Sequence, residues 1–551
     1  MTRSFDLNRW DSMGLDEDRT NWRRPILKDG CPIPICWPAA DVIIGNPPFL
    51  DARRMTRWHG PEYVKALEAT FDAITRRSDF CVYWFRKSHD HLPQCTSKDA
   101  VAGRAGLVGT QNIRNNESRQ GGLDHIVSGG TIVEAVDNQP WSGEANVHVS
   151  IANWVKHAPL NESSLVESQL LIPADRKLWF KVEAEPGMKK SRQANKLAAK
   201  QYELDKRECA LINSALSDQT DVSTALVLSV ACKPKRCFEG LQPGHKGFRI
   251  SKEEYAKLTE DTAVADVVFP YLIATSVLTS RFQTRPEFLI DFAERDMLDA
   301  SQYPRVLDIV RERVLPTWQS NAQKEQRNTG KHTGEHQRRL QTWWQLKRRR
   351  GALTRVIDTL DRFVVCSRHT KRPIFVFLSS SVRPDSSLTA FTFEDDYSFG
   401  ILQSNAHWQW FVAKCSKLKS DFRYTPESVF NTFPWPQSPS ESQIDAVAEA
   451  GREVRRVRGE ALGKIKGGLR AVYRTLELPG KNPLKDAHAA LDTAVLAAYG
   501  FSAKEDLLAQ LLALNLQVAG RIDAGEPVTS PGVPPVYPDA TKLITDDCIR
   551  P

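Results

Sequence analysis

Short apolar runs alternate with stretches of helical spacing over the first 160 residues. Four apolar runs have the length of buried strands: 41–44, 105–110, 131–136 and 147–151. Three stretches repeat apolar positions at the spacing of helices: 61–77, 79–92 and 118–128. Because strands and helices alternate, the pattern predicts a mostly parallel α/β sheet, at least to about residue 115. The last two strands follow each other without a helix, which predicts an antiparallel edge.

The pattern changes twice along the rest of the chain. Beyond about residue 160 it loosens into short mixed elements and polar loops, which predicts a mixed α+β domain. After the Pro-rich run 433–439, apolar stripes at helical spacing over 444–476 and 484–515 predict a helical domain. The Pro-rich end predicts a flexible tail. The predicted domains are therefore 1–160, 161–436, 437–524 and, for the tail, 525–551.

The composition is that of an ordinary globular protein, since 41% of the residues are hydrophobic. No run of about eighteen apolar residues is present, so the sequence predicts no membrane span. The first residues lack the apolar stretch of a secretory signal, and the ten cysteines have no disulfide rhythm. The predicted compartment is a reducing cytoplasm.

The positive charge is concentrated in one segment. Residues 311–372 hold 16 Lys/Arg against 5 Asp/Glu, whereas the whole chain carries a net charge of only +8. Such a segment indicates a face that binds a polyanion. The expected DNA contacts are Trp343, Trp344, Lys347, Arg348, Arg349 and Arg350, with cations on phosphates and an aromatic ring against bases. The alternative is a helix with a Trp core face and a solvated Arg face.

The residues after the first predicted strand suggest a specific chemistry. Loops at the carboxyl ends of strands in open α/β sheets face substrate, and Asn46-Pro47-Pro48-Phe49 is such a loop. The two prolines make the backbone rigid and remove N–H donors. The Asn46 side chain and the Pro47 carbonyl then offer two acceptors for the two N–H bonds of an amino group. Phe49 offers a flat face for an extruded base.

This arrangement suits methylation of an exocyclic amino group. Two fixed acceptors favour a pyramidal nitrogen and stabilise the positive charge that develops on it during methyl transfer. Methylation of a cytosine ring carbon would instead need a Cys nucleophile on the loop, and none is present. The other reading of the loop is a strand-ending turn that happens to contain Pro.

The chain resembles the adenine-specific, amino-methylating DNA methyltransferases of the MmeI-like group. The resemblance rests on Asn46–Phe49 after its strand and on these further segments: 106–111, 131–156 with Trp141-Ser142-Gly143-Glu144-Ala145, 285–288, 421–436 and 491–500. It implies a partial Rossmann-like methyltransferase sheet, then a mixed α+β target-recognition domain and a helical carboxyl-terminal domain. It also implies S-adenosyl-L-methionine as cofactor and duplex DNA with one flipped adenine as substrate, in a restriction–modification or phage-defence system.

One part of that family's pattern is missing. The family binds its cofactor on a Gly-rich turn that precedes the catalytic loop, and residues 1–45 contain no strand followed by Gly-x-Gly. A separate polypeptide that carries the cofactor-binding half is therefore an expected partner. The alternative function is a non-catalytic DNA-recognition subunit, or a truncated remnant.

No metal site is predicted. His332-Thr333-Gly334-Glu335-His336 matches an inverted zinc-protease pattern, but the glycines around it predict a loop where that site needs a helix. The cysteine pairs Cys31 with Cys36 and Cys232 with Cys237 lack the spacing and the second pair of a zinc site.

Overall fold

The computed structural model of the chain divides into two compact units, Met1–Asp221 and Val222–Pro551, called unit 1 and unit 2. It describes residues 27–28, 31–32, 37–71, 74–141, 148–158, 172–173, 175–181, 204–258, 262–279, 287–330, 333–418 and 421–550. Among these residues, no helix combines the length and apolar character needed to cross a bilayer.

Unit 1 is built on a mixed sheet. Its described strands are β1 (Val42–Gly45), β2 (Arg104–Thr110), β3 (Gly130–Pro140), β4 (His148–Lys156), β5 (Arg176–Lys181) and β6 (Leu204–Cys209). They lie in the order β1-β2-β4-β3-β5-β6. A two-residue ladder joins Leu27–Lys28 to Cys31–Pro32.

The strand directions differ in part from the prediction. The β1–β2 and β3–β5 pairs are parallel, whereas β4 runs antiparallel to both β2 and β3, and β6 antiparallel to β5. The predicted antiparallel pairing of β3 with β4 is confirmed, but the pair is not an edge, because β2 and β5 lie on either side of it. The parallel arrangement predicted up to about residue 115 is found in the β1–β2 pair, and beyond that residue the sheet is mixed because β4 returns directly between β2 and β3. Since β5 and β6 extend the sheet, the predicted boundary at 160 is not found.

The helices of unit 1 pack beside this sheet. They are α1 (Ala52–His59), α2 (Pro61–Thr70), α3 (Cys81–His91), α4 (Asn116–Arg119) and α5 (His125–Ser128), with a 3-10 turn at Gln111–Arg114 and a π turn at Gln120–Asp124. Helix α3 confirms the helix predicted at 79–92, and its Tyr83, Trp84 and Phe85 side chains are buried. The ring of Phe85 stacks on that of Trp154 in β4 at 5.7 Å.

Two predicted helices are interrupted. The helix predicted over 61–77 ends at Thr70. The helix predicted over 118–128 widens into the π turn at Gly121 and Gly122. A Cβ atom on these glycines would lie 3.2 Å from side-chain atoms of Ile74 and Val82, so the absent side chains permit a close approach.

Unit 2 contains two four-stranded sheets and a hairpin. Its strands are β7 (Cys237–Glu239), β8 (Arg249–Ser251), β9 (Val268–Leu272), β10 (Glu287–Ile290), β11 (Arg362–Ser367), β12 (Val376–Ser379), β13 (Arg383–Pro384), β14 (Leu388–Phe391), β15 (Ser416–Leu418) and β16 (Asp421–Arg423). The sheets have the orders β8-β10-β9-β13 and β12-β11-β14-β7, and β15 pairs with β16. This arrangement agrees with the predicted mixed α+β domain.

The helices of unit 2 surround these sheets. They are α6 (Ser229–Cys232), α7 (Lys252–Leu258), α8 (Ala274–Thr279), α9 (Met297–Ser301), α10 (Pro304–Arg313), α11 (Leu315–Thr329), α12 (Glu335–Gln341), α13 (Gly351–Ile357), α14 (Asp396–Gln403), α15 (Asn405–Lys414), α16 (Glu441–Lys464), α17 (Gly468–Arg474), α18 (Pro483–Tyr499) and α19 (Leu507–Asp523). Short 3-10 turns lie at Lys246–Phe248, Thr262–Asp266, Thr475–Glu477 and Ala540–Leu543. The helix predicted over 444–476 ends at Lys464, because Gly467 and Gly468 adopt positive φ angles of 117° and 74°.

The carboxyl-terminal helices do not form a separate domain. Gly400 of α14 lies against Val447 of α16 and Leu491 of α18, and a Cβ on this glycine would come within 2.7 Å of Val447. The helices therefore share one hydrophobic core with the sheets of unit 2. For this reason the predicted boundaries at 436 and 524 do not separate compact units.

The predicted flexible tail is held by a buried ion cluster. Asp396 is fully buried and accepts hydrogen bonds of 2.6–2.7 Å from Arg362, Arg452 and Arg455. Asp547 of the tail pairs with two of these arginines, at 2.9 Å to Arg362 and 2.6 Å to Arg455. Burial raises the pKa of Asp547, but the hydrogen bonds from Arg455 and Thr545 and the charges of Arg455 and Arg362 together outweigh burial, and the pKa falls to about 2.

The tail also joins the fold through its backbone. The Ile549 N–H donates to the Phe377 carbonyl at 2.9 Å, and Leu543 is buried. The prediction of a flexible tail at 525–551 is therefore wrong for the described residues 525–550, because charge pairing and edge hydrogen bonds outweigh the effect of the Pro-rich composition.

We expect Asp396→Ala to destabilise the chain by about 3–5 kcal/mol, because buried guanidinium groups would lose their shared carboxylate. Asp308→Ala is the matched control, since Asp308 is an exposed carboxylate that pairs with Arg311. Its loss should cost under about 1 kcal/mol. Urea unfolding of the full chain measures both values, and equal midpoints for the two variants would contradict the expectation.

Candidate functional site

Polar and aromatic residues of unit 1 gather at one edge of its sheet. Strands β1 and β2 are parallel, and β4 is antiparallel to both β2 and β3. The carboxyl ends of β1, β2 and β3 therefore lie at the same edge as the start of β4. The residues that follow these three strands are Asn46, Gln111 and Trp141. This edge is the candidate functional site.

The loop Asn46-Pro47-Pro48-Phe49 leaves β1 at this edge, as predicted. Pro47 is buried. The loop is tied to α3 by the Phe80 N–H, which donates to the Leu50 carbonyl at 2.9 Å. The side-chain oxygen of Asn46 is buried and has no hydrogen-bond partner among the described residues. This acceptor at the edge of the sheet is therefore able to take a hydrogen bond from the donor group of a ligand.

Phe49 meets a second aromatic side chain. The Trp141 ring lies edge-on to the Phe49 ring, with centroids 6.1 Å apart and planes at 87°. Trp141 follows β3, and its approach to Phe49 is a consequence of the shared strand direction. In the sequence, Trp141 was noted only as part of a segment that resembles the MmeI-like group, and no role was predicted for it. Its position directly after a strand that ends at this edge is the signal that would have identified it.

A buried carboxyl group holds the parts of the site together. The Asp79 side chain accepts hydrogen bonds from Thr110 at 2.5 Å and from Asn112 at 3.0 Å, and its N–H donates to Ser118 at 3.0 Å. Burial raises the pKa of Asp79, although the bonds from Thr110 and Asn112 oppose that rise. Since Phe80 holds Leu50, the pair Asp79-Phe80 connects the end of β2 to the loop after β1. Sequence reasoning did not identify Asp79.

The basic segment of unit 2 forms a cationic cleft. A cavity of about 240 Å³ is lined by Glu335, Arg338, Arg339, Thr342, Lys347 and Arg348. Four cations thus face one carboxylate, and Lys347 pairs with that carboxylate at 3.1 Å. The Arg339 guanidinium lies over the Trp318 ring at 5.5 Å. Phosphate groups are the ligands that such a cleft favours.

The six predicted DNA-contact residues do not act as one group. Trp343 and Trp344 are core residues, and the Trp344 indole donates to the Arg295 carbonyl at 3.0 Å. Their predicted stacking on bases is therefore wrong, because both rings pack inside unit 2. Of the basic residues, Lys347 and Arg348 line the cleft, and Arg349 pairs with Glu294 at 3.0 Å. Arg350 pairs with Glu239 in a different cluster.

The zinc-protease-like segment also differs from its prediction. Glu335 and His336 begin helix α12, whereas a loop was predicted, and His332 lies outside the described residues. In the described part of the chain, no three His, Cys, Asp or Glu side chains are placed to hold a metal ion together.

The chain is similar to known proteins both in sequence and in structure. Residues 359–437 match the family described as MmeI, target recognition domain. The chain is 34% identical over 128 residues to DNA methyltransferase A of Bacillus subtilis (strain 168), a match that covers 23% of this chain and 14% of that protein. Its structure is similar to that of the type IIL restriction–modification enzyme MmeI in complex with DNA, with a TM-score of 0.61 and 18% identity.

The structural match covers 87% of this chain and 57% of the MmeI chain. The chain thus spans little more than half the length of that enzyme and a smaller part of the methyltransferase. The matches confirm the resemblance to the MmeI-like group and a fold of mixed α/β character. They relate the chain to DNA methyltransferases and restriction–modification enzymes.

We expect Asp79→Ala to destabilise the fold around α3, whereas Asp79→Asn should stabilise it relative to wild type as pH rises. Asp79→Ala leaves the Thr110 and Asn112 donors unpaired, which should cost about 1–3 kcal/mol. Asp79→Asn keeps an acceptor and removes an ionisable group whose raised pKa makes ionisation costly. The cost of ionising Asp79 in the folded state is absent below the ordinary Asp pKa and grows as pH rises through the raised pKa of Asp79. The Asp79→Asn variant does not carry this cost, so its stability relative to wild type should increase with pH.

Hydrogen exchange of the amides of Cys81–His91, corrected for intrinsic rates at pH 4.5 and pH 7.5, measures this difference. The exposed Asp205→Asn is the control and should show no such trend. A wild-type chain that gains protection over Asp79→Asn as pH rises would contradict the expectation.

Proposed function

We propose that the chain supplies the target-base loop and the DNA-reading part of a site-specific, adenine-specific DNA methyltransferase. The observation that carries the proposal is the buried, unpaired side-chain oxygen of Asn46 on a rigid Pro loop at the carboxyl edge of parallel strands. The likeness to MmeI and to DNA methyltransferase A supports it.

The loop would act on the amino group of an adenine flipped out of duplex DNA. Asn46 and the Pro47 carbonyl accept the two N–H bonds, and Pro48 keeps the backbone rigid. Positive charge that develops on the nitrogen during methyl transfer is then stabilised by acceptors already in place. Phe49 gives the base a face to stack on, and the edge-on Trp141 ring supports the orientation of Phe49.

Methylation of a ring carbon is disfavoured in this site. That reaction needs a thiolate nucleophile. The cysteine nearest in sequence after the loop among the described residues is Cys81, which is fully buried, and burial raises the pKa of its thiol to about 12. A thiol in this state stays protonated near neutral pH, which supports the amino group as the methyl acceptor.

Duplex DNA is the proposed partner of unit 2. The cleft around Lys347 and Arg348 would contact phosphates, and the segment 359–437 would belong to the reader of the recognised sequence. A restriction–modification or phage-defence role follows from the likeness to MmeI. The proposal places the chain in the cytoplasm, with which the free cysteines among the described residues are consistent.

S-adenosyl-L-methionine is the proposed methyl donor, but the described residues of this chain do not fit a binding site for it. The parallel strands β1 and β2 are followed by Asn46-Pro47-Pro48 and Gln111-Asn112-Ile113, without a glycine-rich turn. Strand β1 pairs only with β2 in the described part of the chain, and Ile44 is 69% exposed. Parallel strands are normally covered on both faces, so we place the cofactor-binding part on further strands beside β1.

Those strands would come from another part of a longer protein or from a separate polypeptide. The second candidate function, a DNA-recognition subunit that is inactive by itself, is favoured by the same exposed Ile44. The two candidates differ in whether Asn46 performs chemistry once the cofactor-binding part is present.

We expect the chain, co-expressed with the coding sequences that flank its own, to produce N6-methyladenine at one short DNA sequence. Asn46→Ala should reduce this methylation by about 10²–10³-fold, the range for removal of one transition-state hydrogen bond. Asn328→Ala, at an exposed helix end, is the matched control and should methylate normally. Sequencing that detects modified bases in the host genome measures the outcome. Equal methylation by Asn46→Ala and wild type would contradict the catalytic role, and DNA binding without any methylation would favour the recognition subunit.

We also expect the chain alone to show no saturable binding of labelled S-adenosyl-L-methionine up to about 1 mM in equilibrium dialysis. Binding should appear when the product of a flanking coding sequence co-purifies with it. Ile44→Lys should prevent this co-purification because it places a charge at the open edge of β1. Leu298→Lys, at an exposed leucine of unit 2, should not prevent it. Tight cofactor binding by the chain alone would contradict the proposed arrangement.

A further inference from the structure

Three arginines of unit 2 converge on one carboxylate. Arg350 precedes helix α13, Arg368 follows strand β11 and Arg423 ends strand β16, so the three come from separate elements. Each forms its only recorded ion pair among the described residues with Glu239 of β7. These three side chains are called the arginine triad.

The triad holds Glu239 unequally. Arg350 and Arg368 each donate directly to a separate oxygen of the Glu239 carboxylate. Arg423 lies farther away, at 3.9 Å, and its side chain is 43% exposed. The two inner arginines are thus anchored, whereas the outer one is available to a second anion.

The charge of the triad is not balanced within the described part of the chain. Three guanidinium groups share one carboxylate, which leaves an excess of two positive charges. The Asp396 cluster of the same unit pairs its three arginines with Asp396, Asp547 and Glu449. A structural cluster in this protein is therefore closed by matching carboxylates, and the arginine triad is not.

The donors of the triad are also incompletely used. The Nε atoms of all three arginines are buried and have no hydrogen-bond partner in the described residues. Arg368 is itself nine-tenths buried, and burial is the main cause that lowers its pKa, with a further contribution from the charges of Arg423 and Arg350. The uncompensated charge, together with the exposed side chain of Arg423, therefore indicates an anion that binds from outside.

We propose that the arginine triad binds a backbone phosphate of duplex DNA. The inference rests on the proposed function of unit 2 as a DNA reader, since two members of the triad lie within the segment 359–437 that matches the MmeI target recognition domain. Phosphate oxygens accept from guanidinium forks in two-point contacts. Glu239 holds Arg350 and Arg368 in place, and Arg423 turns its exposed end to the phosphate. Such a contact positions the reader on DNA and carries no base preference.

The backbone of Arg350 supports a fixed role. Arg350 has φ of 60° and ψ of 48°, a left-handed conformation that residues other than glycine rarely adopt. This backbone conformation is strained, and it persists only because the surrounding residues hold it in place. At this position before α13, the Arg350 side chain reaches Glu239 of β7.

The test is the salt dependence of binding by the full chain to a labelled 30-base-pair duplex of mixed sequence. Arg423→Gln should weaken binding at low salt and reduce the slope of log K against log salt by about 0.9, the value for one phosphate contact. Arg423→Lys keeps the charge and should keep the slope. Arg456→Gln removes one charge from an exposed arginine of α16 that pairs with Glu453 and Glu460, and should also leave the slope unchanged.

The outcomes separate the two proposals. A wild-type chain that does not bind the duplex in a salt-sensitive way overturns the proposed DNA-reading function itself. A wild-type chain that binds, with the same slope for Arg423→Gln, overturns only the role of the triad. An Arg423→Gln variant with an unchanged slope and an altered preference among duplex sequences means a base contact, which also overturns the phosphate proposal. Thermal melting checks that Arg423→Gln is folded.

Discussion

Strand β4 runs antiparallel to both of its neighbours, so β2 and β3 must run in the same direction and end at the same edge of the sheet. Because β1 is parallel to β2, its end lies there too. This single constraint brings together Asn46, Thr110 and Trp141, which are far apart in sequence. Asp79 then fixes the distance between two of these ends through its bonds to β2 and, by way of Phe80, to the loop after β1. The candidate site is therefore a property of strand direction more than of any one loop.

Unit 2 uses the same chemical groups in two different ways. At Asp396, three arginines are matched by three carboxylates, and the pairing ties residues of the tail to β11 and α16. At Glu239, arginines outnumber carboxylates and one of them reaches solvent. Buried ion pairs contribute little stability unless every partner is satisfied. The matched charges of the Asp396 cluster therefore fit a structural role, in which the cluster holds the tail to the rest of unit 2. The excess charge of the second cluster is the feature on which the proposed phosphate contact depends.

The sequence predicted local features of this structure well and its distant contacts poorly. The strand before Asn46 and the helix that became α3 were predicted because their patterns are continuous in the chain. Trp141 and Asp79 received no role because their partners depend on sheet order, which periodicity does not report. Trp343 and Trp344 lie next to a run of cations, and that proximity suggested base stacking. The carbonyl of Arg295 and the core of unit 2 decide their burial instead.

A buried acceptor without a hydrogen-bond partner makes a site less stable than the same site with a bound donor. The Asn46 oxygen has no hydrogen-bond partner among the described residues, and in the proposed function it stays without one until a donor binds, a deficit of about 1–3 kcal/mol. A base with an amino group cancels the deficit. A base of the same shape that carries an oxygen in that position keeps the deficit and adds repulsion between two acceptors. In the proposed function, the loop would therefore reject a deaminated base by leaving its own hydrogen bond unmade, without any steric gate.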